Sequence, residues 1–267
     1  METFDVPAGA VTLAGERRGG DGPPLVLLHA GVADRRSWRA TAAHLDGPLI
    51  AYDRRGFGDT PPSPEPFTHV ADLLAVLDAA GAPQAWLVGN SMGGALAIDT
   101  ALSAPERVAG LVLIAPAVSG APDPPDEDLD PATARLDALF GEAEGLDEYA
   151  RLDAWLWLDG PAGPEGRVGG AARELALAMN RAILAHDGPE DAGASGMDAW
   201  TRLEDVAVPT TVVVCELDVP FMNEQGERIA ARIPGARLER MAAVAHLPGL
   251  ERPDGLAALI QASTSGR

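Results

Sequence analysis

A serine between glycines is the strongest chemical signal in this chain of 267 residues. Residues 89–93 read Gly-Asn-Ser-Met-Gly, after the apolar run at residues 85–88 and before a run of small and apolar residues. This pattern predicts a strand, a tight turn and a helix, with Ser91 at the tip of the turn. The glycines fit that prediction because strand and helix pass too closely there for larger side chains. A hydroxyl presented in this way is a candidate nucleophile, provided that a base lies within its reach.

A histidine and an aspartate later in the chain complete a set of residues for nucleophilic catalysis. Asp218 follows the apolar run at residues 210–215, and His246 follows the next predicted strand. Active sites of parallel sheets form at the carboxyl ends of the strands, so both side chains are expected near Ser91. In this set His246 takes the serine proton, while Asp218 holds the imidazole in the required tautomer and stabilises its charged form. Ser91, Asp218 and His246 are therefore the predicted catalytic residues.

Acyl transfer also requires two backbone N–H groups that stabilise the oxyanion. The first predicted donor is Met92, directly after the nucleophile. The second is Gly31, in the loop after the apolar run at residues 25–28, with Val32 as the alternative donor. His29 opens this loop, and we expect it to order the loop rather than to act as a base.

Short apolar runs alternate with segments of helical periodicity along most of the chain. Such alternation predicts an α/β protein with a mostly parallel, doubly wound sheet. Residues 4–16 are expected to form a hairpin at the sheet edge, and Ser37 is expected to cap the first helix. Asp53 and Arg54 carry opposite charges in the loop after the second core strand, so we expect them to pair with each other in a structural role.

Residues 119–200 interrupt this alternation with a Pro- and Asp-rich stretch and three segments of helical periodicity. We expect this insertion to form a helical cap over an α/β core made of residues 1–118 and 201–267. For Trp155 and Trp157 of the insertion, plain packing of the cap on the core is at least as good an interpretation as a role as pocket walls. His186 is expected on the surface. The candidate substrate-binding residues are Val32, Trp155 and Trp157.

The composition limits the partners and cofactors that we expect. A formal net charge of −20 disfavours binding to nucleic acid or to an anionic membrane. The chain has no lysine, which excludes a Schiff-base mechanism, and it has no nucleotide- or metal-binding motif, so no cofactor is expected. No apolar run reaches the roughly 20 residues of a membrane span, no signal-peptide pattern is present and Cys215 is the single cysteine, so we expect a cytoplasmic protein. The expected partner is a small-molecule substrate, and the sequence leaves a homodimer open.

Taken together, these motifs resemble the α/β-hydrolase fold. The resemblance runs from residues 29–31 through residues 53–58 and 89–94 to Asp218 and residues 246–253, so it covers the core. For the cap, only its position in the chain matches the family, and not its sequence. It implies an α/β-hydrolase core with a helical cap above the site. The site residues that it implies are Ser91, Asp218 and His246, with Gly31 and Met92 as oxyanion donors.

Within this fold, the spacing from His29 to Asp34 and Trp38 is similar to that of small-ester hydrolases and 3-oxoadipate enol-lactonases. This similarity implies a cofactor-free serine hydrolase that cleaves a small ester or lactone through an acyl-enzyme. Residues 89–94 are also similar to hydrolases that cleave carbon–carbon bonds, although Leu247 stands where those enzymes usually have tryptophan. A carbon–carbon bond hydrolase or lyase of secondary metabolism is therefore one alternative. A ligand-binding protein on this fold, without turnover, is the other.

Overall fold

An eight-stranded sheet runs through the protein in the computed structural model, which describes residues 1–63, 65–122, 129–185 and 193–265. The strands from Leu25 onward run parallel to one another in this sheet, and two short strands, Glu2–Thr3 and Gly15–Arg18, extend one edge of it antiparallel. This arrangement confirms the predicted α/β class with a mostly parallel sheet. The surface position expected for His186 falls outside the described residues.

The chain forms ten strands: β1 Glu2–Thr3, β2 Val6–Ala8, β3 Val11–Leu13, β4 Gly15–Arg18, β5 Leu25–Leu28, β6 Leu49–Tyr52, β7 Ala85–Asn90, β8 Val108–Ile114, β9 Thr210–Cys215 and β10 Arg237–Met241, within the residues that the structure describes. Across the main sheet the order is β1-β4-β6-β5-β7-β8-β9-β10, which is a doubly wound pattern, while β2 and β3 pair with each other in a separate hairpin. The predicted hairpin therefore forms, but it does not extend the main sheet. Pro7 in β2 lacks the N–H group that a further strand pairing would use.

The inner strands are mostly apolar because both faces of the sheet are covered. In β5, Val26 and Leu28 join one hydrophobic cluster, and Leu25 and Leu27 join a second cluster on the opposite face. All residues of β5, β7 and β9 are buried. A continuous apolar run in the sequence therefore marks a central strand in this protein.

Helices cover the sheet and fill the insertion between β8 and β9. The three segments of helical periodicity in that insertion form the helices Pro131–Glu142, Leu146–Asp153 and Gly170–Leu184, and a π-helical turn, Ala154–Asp159, follows the second of them. Among the described residues, no helix is both long enough and apolar enough to cross a membrane. The helices are α1 Arg39–Ala42, α2 His69–Ala79, α3 Met92–Ser103, α4 Pro131–Glu142, α5 Leu146–Asp153, α6 Gly170–Leu184, α7 Pro220–Arg232, α8 Pro248–Glu251 and α9 Pro253–Ser263.

The prediction that Ser37 caps the first helix is wrong. A 3₁₀ turn, Arg35–Trp38, precedes α1, and Asp34 is its N-cap, with a side chain that accepts a hydrogen bond from the Arg36 N–H. Ser37 lies inside the turn, where its hydroxyl donates to the carbonyl of Asp34 at 2.8 Å. The carboxylate of Asp34 takes the cap because it lies before the first helical N–H groups, whereas Ser37 lies after them.

The insertion packs on the core through a small hydrophobic cluster beside the site. Leu158 and Met179 of the insertion are fully buried there against Ala30, Ala33 and Leu247 of the core. These core residues belong to the loop after β5 and to the loop that carries His246. The insertion therefore contacts the two loops that the sequence assigned to the site.

Candidate active site

Ser91 lies on a strained turn between β7 and α3. Its backbone angles are φ 53° and ψ −117°, a conformation that non-glycine residues rarely adopt. The glycines around it are required by space. A Cβ on Gly89 would lie 2.2 Å from the carbonyl oxygen of Gly93, and a Cβ on Gly93 would lie 2.3 Å from that of Leu28 in β5. The turn predicted from the sequence is thus present, with the serine at its tip.

Asp218 and His246 meet in a buried hydrogen bond. The distance from His246 Nδ1 to Asp218 Oδ2 is 2.8 Å, and the two residues are 2% and 4% exposed. An ionised carboxylate only accepts, so the imidazole donates from Nδ1 and Nε2 is left with its lone pair. The second carboxylate oxygen accepts from the Val219 N–H at 2.8 Å, which fixes the orientation of Asp218.

The structure brings the histidine loop to the turn that carries the serine. The side-chain amide of Asn90, directly before Ser91, donates to the main-chain oxygen of His246 at 3.1 Å and to that of Ile114 at 3.1 Å. The hydroxyl of Ser91 forms no hydrogen bond within the part of the chain that the structure describes, the His246 ring included. A hydrogen bond therefore joins Asp218 to His246, and Asn90 joins the His246 loop to the serine turn. The hydroxyl of Ser91 itself is not bonded to His246.

Glu251 is a second residue that supports the histidine loop. One carboxylate oxygen accepts from the Ala245 N–H at 2.7 Å, and the other pairs with Arg167 of the insertion at 2.6 Å. Burial raises the pKa of Glu251, while the hydrogen bonds from Ala245 and Arg167 oppose that rise. The sequence interpretation missed both Asn90 and Glu251. Both residues lie inside the segments that resembled the fold family. Their partners, His246 for Asn90 and Arg167 for Glu251, are distant in sequence, so no local pattern predicted these contacts.

The loop after β5 faces the first residue of α3, as oxyanion donors would require. A Cβ on Gly31 would lie 3.2 Å from Met92 Cε, so the loop and the helix start are in contact there. The backbone hydrogen bonds of the described loops and turns include none donated by Gly31, Val32 or Met92. As the first residue of α3, Met92 has no intrahelical acceptor for its N–H. The geometry leaves both Gly31 and Val32 available as the second donor.

His29 is held as a neutral ring that orders this loop. Its Nε2 accepts from the Arg54 N–H at 3.2 Å, so its proton is on Nδ1, which lies 2.8 Å from the carbonyl oxygen of Ala30. Burial, and next the charge of Arg54, hold the pKa of His29 well below its ordinary value. These contacts agree with the predicted ordering role, and they leave no free nitrogen for a base.

The expected pairing of Asp53 with Arg54 is wrong. Asp53 pairs with Arg35 and accepts from the backbone N–H groups of Arg35 and Asp59. Arg54 turns the other way, and its Nη2 donates to the carbonyl oxygen of Ala30 at 3.2 Å. Adjacent residues that follow a strand point to opposite sides, so a partner distant in sequence reaches Asp53 more easily than its neighbour does.

The two candidate tryptophans have different surroundings. The ring of Trp157 lies 4.6 Å from the ring of His246, centroid to centroid, and Val32 belongs to the same hydrophobic cluster as Trp157. Trp155 instead donates to the carbonyl oxygen of Gly163 at 2.9 Å, within the insertion. The structure thus places Trp157 beside the predicted base and Val32 in the same hydrophobic cluster as Trp157, whereas the hydrogen bond of Trp155 lies within the insertion.

Comparison with known proteins identifies the family. Residues 25–259 match the model of the Alpha/beta hydrolase family, and the chain belongs to that family. It is 35% identical to Lipase LipV of Mycobacterium tuberculosis over 191 residues, covering 64% of this chain and 71% of LipV. It is 29% identical to the rhodomycin D methylesterase DauP of a Streptomyces species over 281 residues, covering 90% of each chain.

Solved structures agree with this family. A thermophilic esterase from Thermogutta terrifontis superposes with a TM-score of 0.74 at 25% identity, covering 98% of this chain and 97% of the esterase. The fold and these relatives, a lipase and two esterases, indicate an esterase-like hydrolase of the α/β-hydrolase family.

Proposed function

We propose that this protein is a serine hydrolase that cleaves a small ester or lactone through an acyl-enzyme, with Ser91, His246 and Asp218 as its catalytic residues. The observation that carries the proposal is the buried 2.8 Å hydrogen bond between His246 and Asp218, on a loop tied by Asn90 to the strained turn of Ser91. The esterases and lipase among its relatives support the ester substrate.

Acylation begins when Ser91 Oγ attacks the substrate carbonyl carbon and His246 Nε2 takes the hydroxyl proton. Asp218 stabilises the imidazolium that results, because its carboxylate already accepts from Nδ1. The hydrogen bond between Ser91 and His246 forms in the substrate complex, where catalytic hydrogen bonds commonly tighten. The imidazolium then returns the proton to the leaving alkoxide, and the C–O bond of the ester breaks.

The negative charge that develops on the carbonyl oxygen is stabilised by two backbone N–H groups. Met92 supplies one and Gly31 supplies the other, with Val32 as the alternative. Deacylation repeats the sequence with water as the nucleophile, activated by His246, and releases the acid while Ser91 regains its proton. In a lactone the leaving alkoxide stays attached to the acyl group, so a hydroxy acid is the single product.

We further propose that the helical insertion serves as the cap that selects the substrate. Leu158 and Met179 pack on the loops around the site, and Trp157 covers one side of His246. An acyl or alkoxy group at Ser91 is therefore expected to contact Trp157 and Val32.

A fluorophosphonate probe tests the proposed nucleophile directly. The native protein should be labelled, and Ser91→Ala should abolish labelling without loss of the folded state. With p-nitrophenyl esters of increasing chain length, Ser91→Ala and His246→Ala are each expected to lower kcat by roughly 10⁴-fold or more. A parallel series of lactones then separates esterase from lactonase activity.

The same experiment distinguishes the alternatives. Labelling at Ser91 without hydrolysis of any ester or lactone would favour a carbon–carbon bond hydrolase or lyase. A folded native protein that resists the probe would contradict the proposal and favour a ligand-binding protein.

A further inference from the structure

The insertion contacts the main chain of the loop that carries Asp218. Gly160, directly after the π-helical turn, has φ 84° and lies against the carbonyl oxygen of Leu217. A Cβ on Gly160 would lie 2.2 Å from that oxygen, so the contact leaves no space for a side chain. Leu217 in turn donates its N–H to the main-chain oxygen of Val244 at 2.9 Å, two positions before His246. The insertion thus touches the backbone next to the proposed acid.

A second contact joins the same part of the insertion to the loop that carries His246. Arg167 donates to the carbonyl oxygens of the last two residues of the π-helical turn, at 2.8 and 2.7 Å. Its Nη2 also pairs with Glu251 at 2.6 Å, and the other carboxylate oxygen of Glu251 accepts from the Ala245 N–H. One arginine therefore links the end of the turn to the residue before His246.

The ion pair between Arg167 and Glu251 lies largely out of solvent. The Glu251 side chain is 4% exposed and that of Arg167 is 22% exposed, and within the described residues Glu251 forms no other ion pair. Without Arg167 the buried carboxylate would have no cation, which is strongly unfavourable. Glu251 would then take up a proton or turn toward water, and both changes weaken the charge-assisted hydrogen bond from the Ala245 N–H. Arg167 therefore stabilises the main chain beside His246.

The third contact is the indole ring of Trp157, 4.6 Å from the ring of His246. Residues 157–167 thus reach the ring of the proposed base, the backbone beside that base and the backbone beside the proposed acid. Substrate selection requires only side chains that face the substrate. The contacts of Gly160 and Arg167 are made with the core instead, on the loops that carry the acid and the base.

We propose that residues 157–167 of the insertion hold Asp218 and His246 in their working geometry, with Gly160 and Arg167 as positioning residues. The inference rests on the proposed function, because Asp218 and His246 are the acid and the base of that mechanism. It adds that the insertion is needed for the chemical step itself, even on substrates too small to contact it. A displacement of about 1 Å can cost about 100-fold in rate, so a modest loosening of the two loops is sufficient.

Two ethyl esters separate positioning from substrate selection. Ethyl acetate offers the insertion almost no surface, whereas ethyl hexanoate has an acyl chain that can reach Trp157, and both release the same alcohol. In Arg167→Met, kcat from acid titration should fall about 10- to 100-fold for both esters with little change in KM. A role in selection alone would raise KM for the hexanoate and spare the acetate. Arg181→Met is the control, because its partner Asp147 lies within the insertion, and it should keep kcat within about twofold of the native value.

Gly160→Ala and Gly166→Ala form a matched pair in the same segment. The two glycines have nearly the same positive φ, 84° and 83°, but a Cβ on Gly166 would meet no atom within 4 Å. The added methyl group therefore strains the backbone alike in both variants, and only Gly160→Ala pushes on Leu217. The kcat for ethyl acetate should fall about tenfold further in Gly160→Ala than in Gly166→Ala.

A measurement on the histidine itself separates the inference from the proposed function. The Nδ1 proton between His246 and Asp218 should give a ¹H NMR resonance far downfield, assigned by its loss in His246→Gln. In a Ser91→Ala background this resonance should stay in place in Arg181→Met and shift or broaden in Arg167→Met, whether or not the protein hydrolyses esters. Arg167→Lys keeps the charge but not the planar fork of donors, so its resonance should lie between the two.

Two results would overturn the inference and leave the proposed function intact. One is an unchanged kcat for ethyl acetate in Arg167→Met, and the other is an unchanged Nδ1 resonance in both Arg167→Met and Gly160→Ala. If Arg167→Met does not fold, the comparison of Gly160→Ala with Gly166→Ala decides the question, and equal kcat values in that pair would count against positioning.

Discussion

The side-chain amide of Asn90 donates a 3.1 Å hydrogen bond to the main-chain oxygen of His246, across 156 positions of sequence. Its second N–H donates to Ile114 in the neighbouring strand, so both N–H groups of the amide are engaged. The residue before the proposed nucleophile thus holds the main chain of the proposed base. The distance between Ser91 and His246 therefore depends in part on the Asn90 amide, which takes no part in the proposed proton transfer.

Replacing Asn90 should therefore lower the rate of the chemical step more than substrate affinity. In Asn90→Ala we expect kcat for a p-nitrophenyl ester to fall about 10- to 100-fold with little change in KM, because a small displacement of the base is costly. Asn90→Asp has the same shape but cannot donate, and it should reproduce the loss. Fluorophosphonate labelling should slow in parallel, and a kcat within twofold of the native value in both variants would show that this contact does not position the base.

The ring of Trp157 on His246 predicts a role in substrate selection. Trp157→Ala should change kcat/KM by about tenfold and alter the chain-length preference of the ester series, because a pocket wall is removed. Trp155→Ala is the matched control, since its contacts lie within the insertion. Identical substrate profiles in the two variants would assign both tryptophans to packing alone.

The contact between α3 and β5 predicts that Gly93 tolerates no side chain. In Gly93→Ala the new methyl group would meet three main-chain atoms of Leu28 and His29 within 2.9 Å, so helix and strand must move apart. We expect a loss of roughly 1–3 kcal/mol in the free energy of unfolding, measured by denaturant titration, and a fall in activity. Gly19→Ala, with no atom within 4 Å of the added methyl, should change that free energy by less than about 0.5 kcal/mol.

The neutral, buried His29 predicts that stability falls in mild acid. Its pKa is held well below the ordinary value of 6.5, chiefly by burial, so below about pH 6.5 the unfolded chain takes up a proton that the folded chain does not. The native free energy of unfolding should then decrease, relative to His29→Gln, by up to about 1.4 kcal/mol per pH unit. Urea titrations of both proteins at pH 7.5 and pH 5.5 measure this difference, and a constant difference would contradict the assignment.

The central strands and the serine turn could be predicted because their signals are local. The run Thr210–Cys215 forms β9 with the predicted bounds, since a strand covered on both faces is rich in β-branched and apolar residues. The conformation of Ser91 follows from a pattern of five residues. The order of Asp218 and His246 after their strands likewise predicted that the two side chains would meet, as they do.

Contacts that depend on competition between distant residues could not be predicted in this way. Asp53 binds Arg35, 18 positions away, although Arg54 is its neighbour in sequence. The fold places the carbonyl oxygen of His246 beside the side-chain amide of Asn90, and no local sequence pattern predicts this contact. Ser37 shows the same limit at short range, because two capping side chains lay within three residues and the earlier one took the role.

The ion pair between Arg167 and Glu251 joins the insertion to the loop that carries His246. Arg167 also donates to the carbonyl oxygens of Leu158 and Asp159, so it moves with the insertion, while Glu251 stays with the loop of the base. The carboxylate that anchors the insertion is therefore the same one that holds the main chain next to His246, through the Ala245 N–H. A substitution at Glu251 would release the insertion and the histidine loop together.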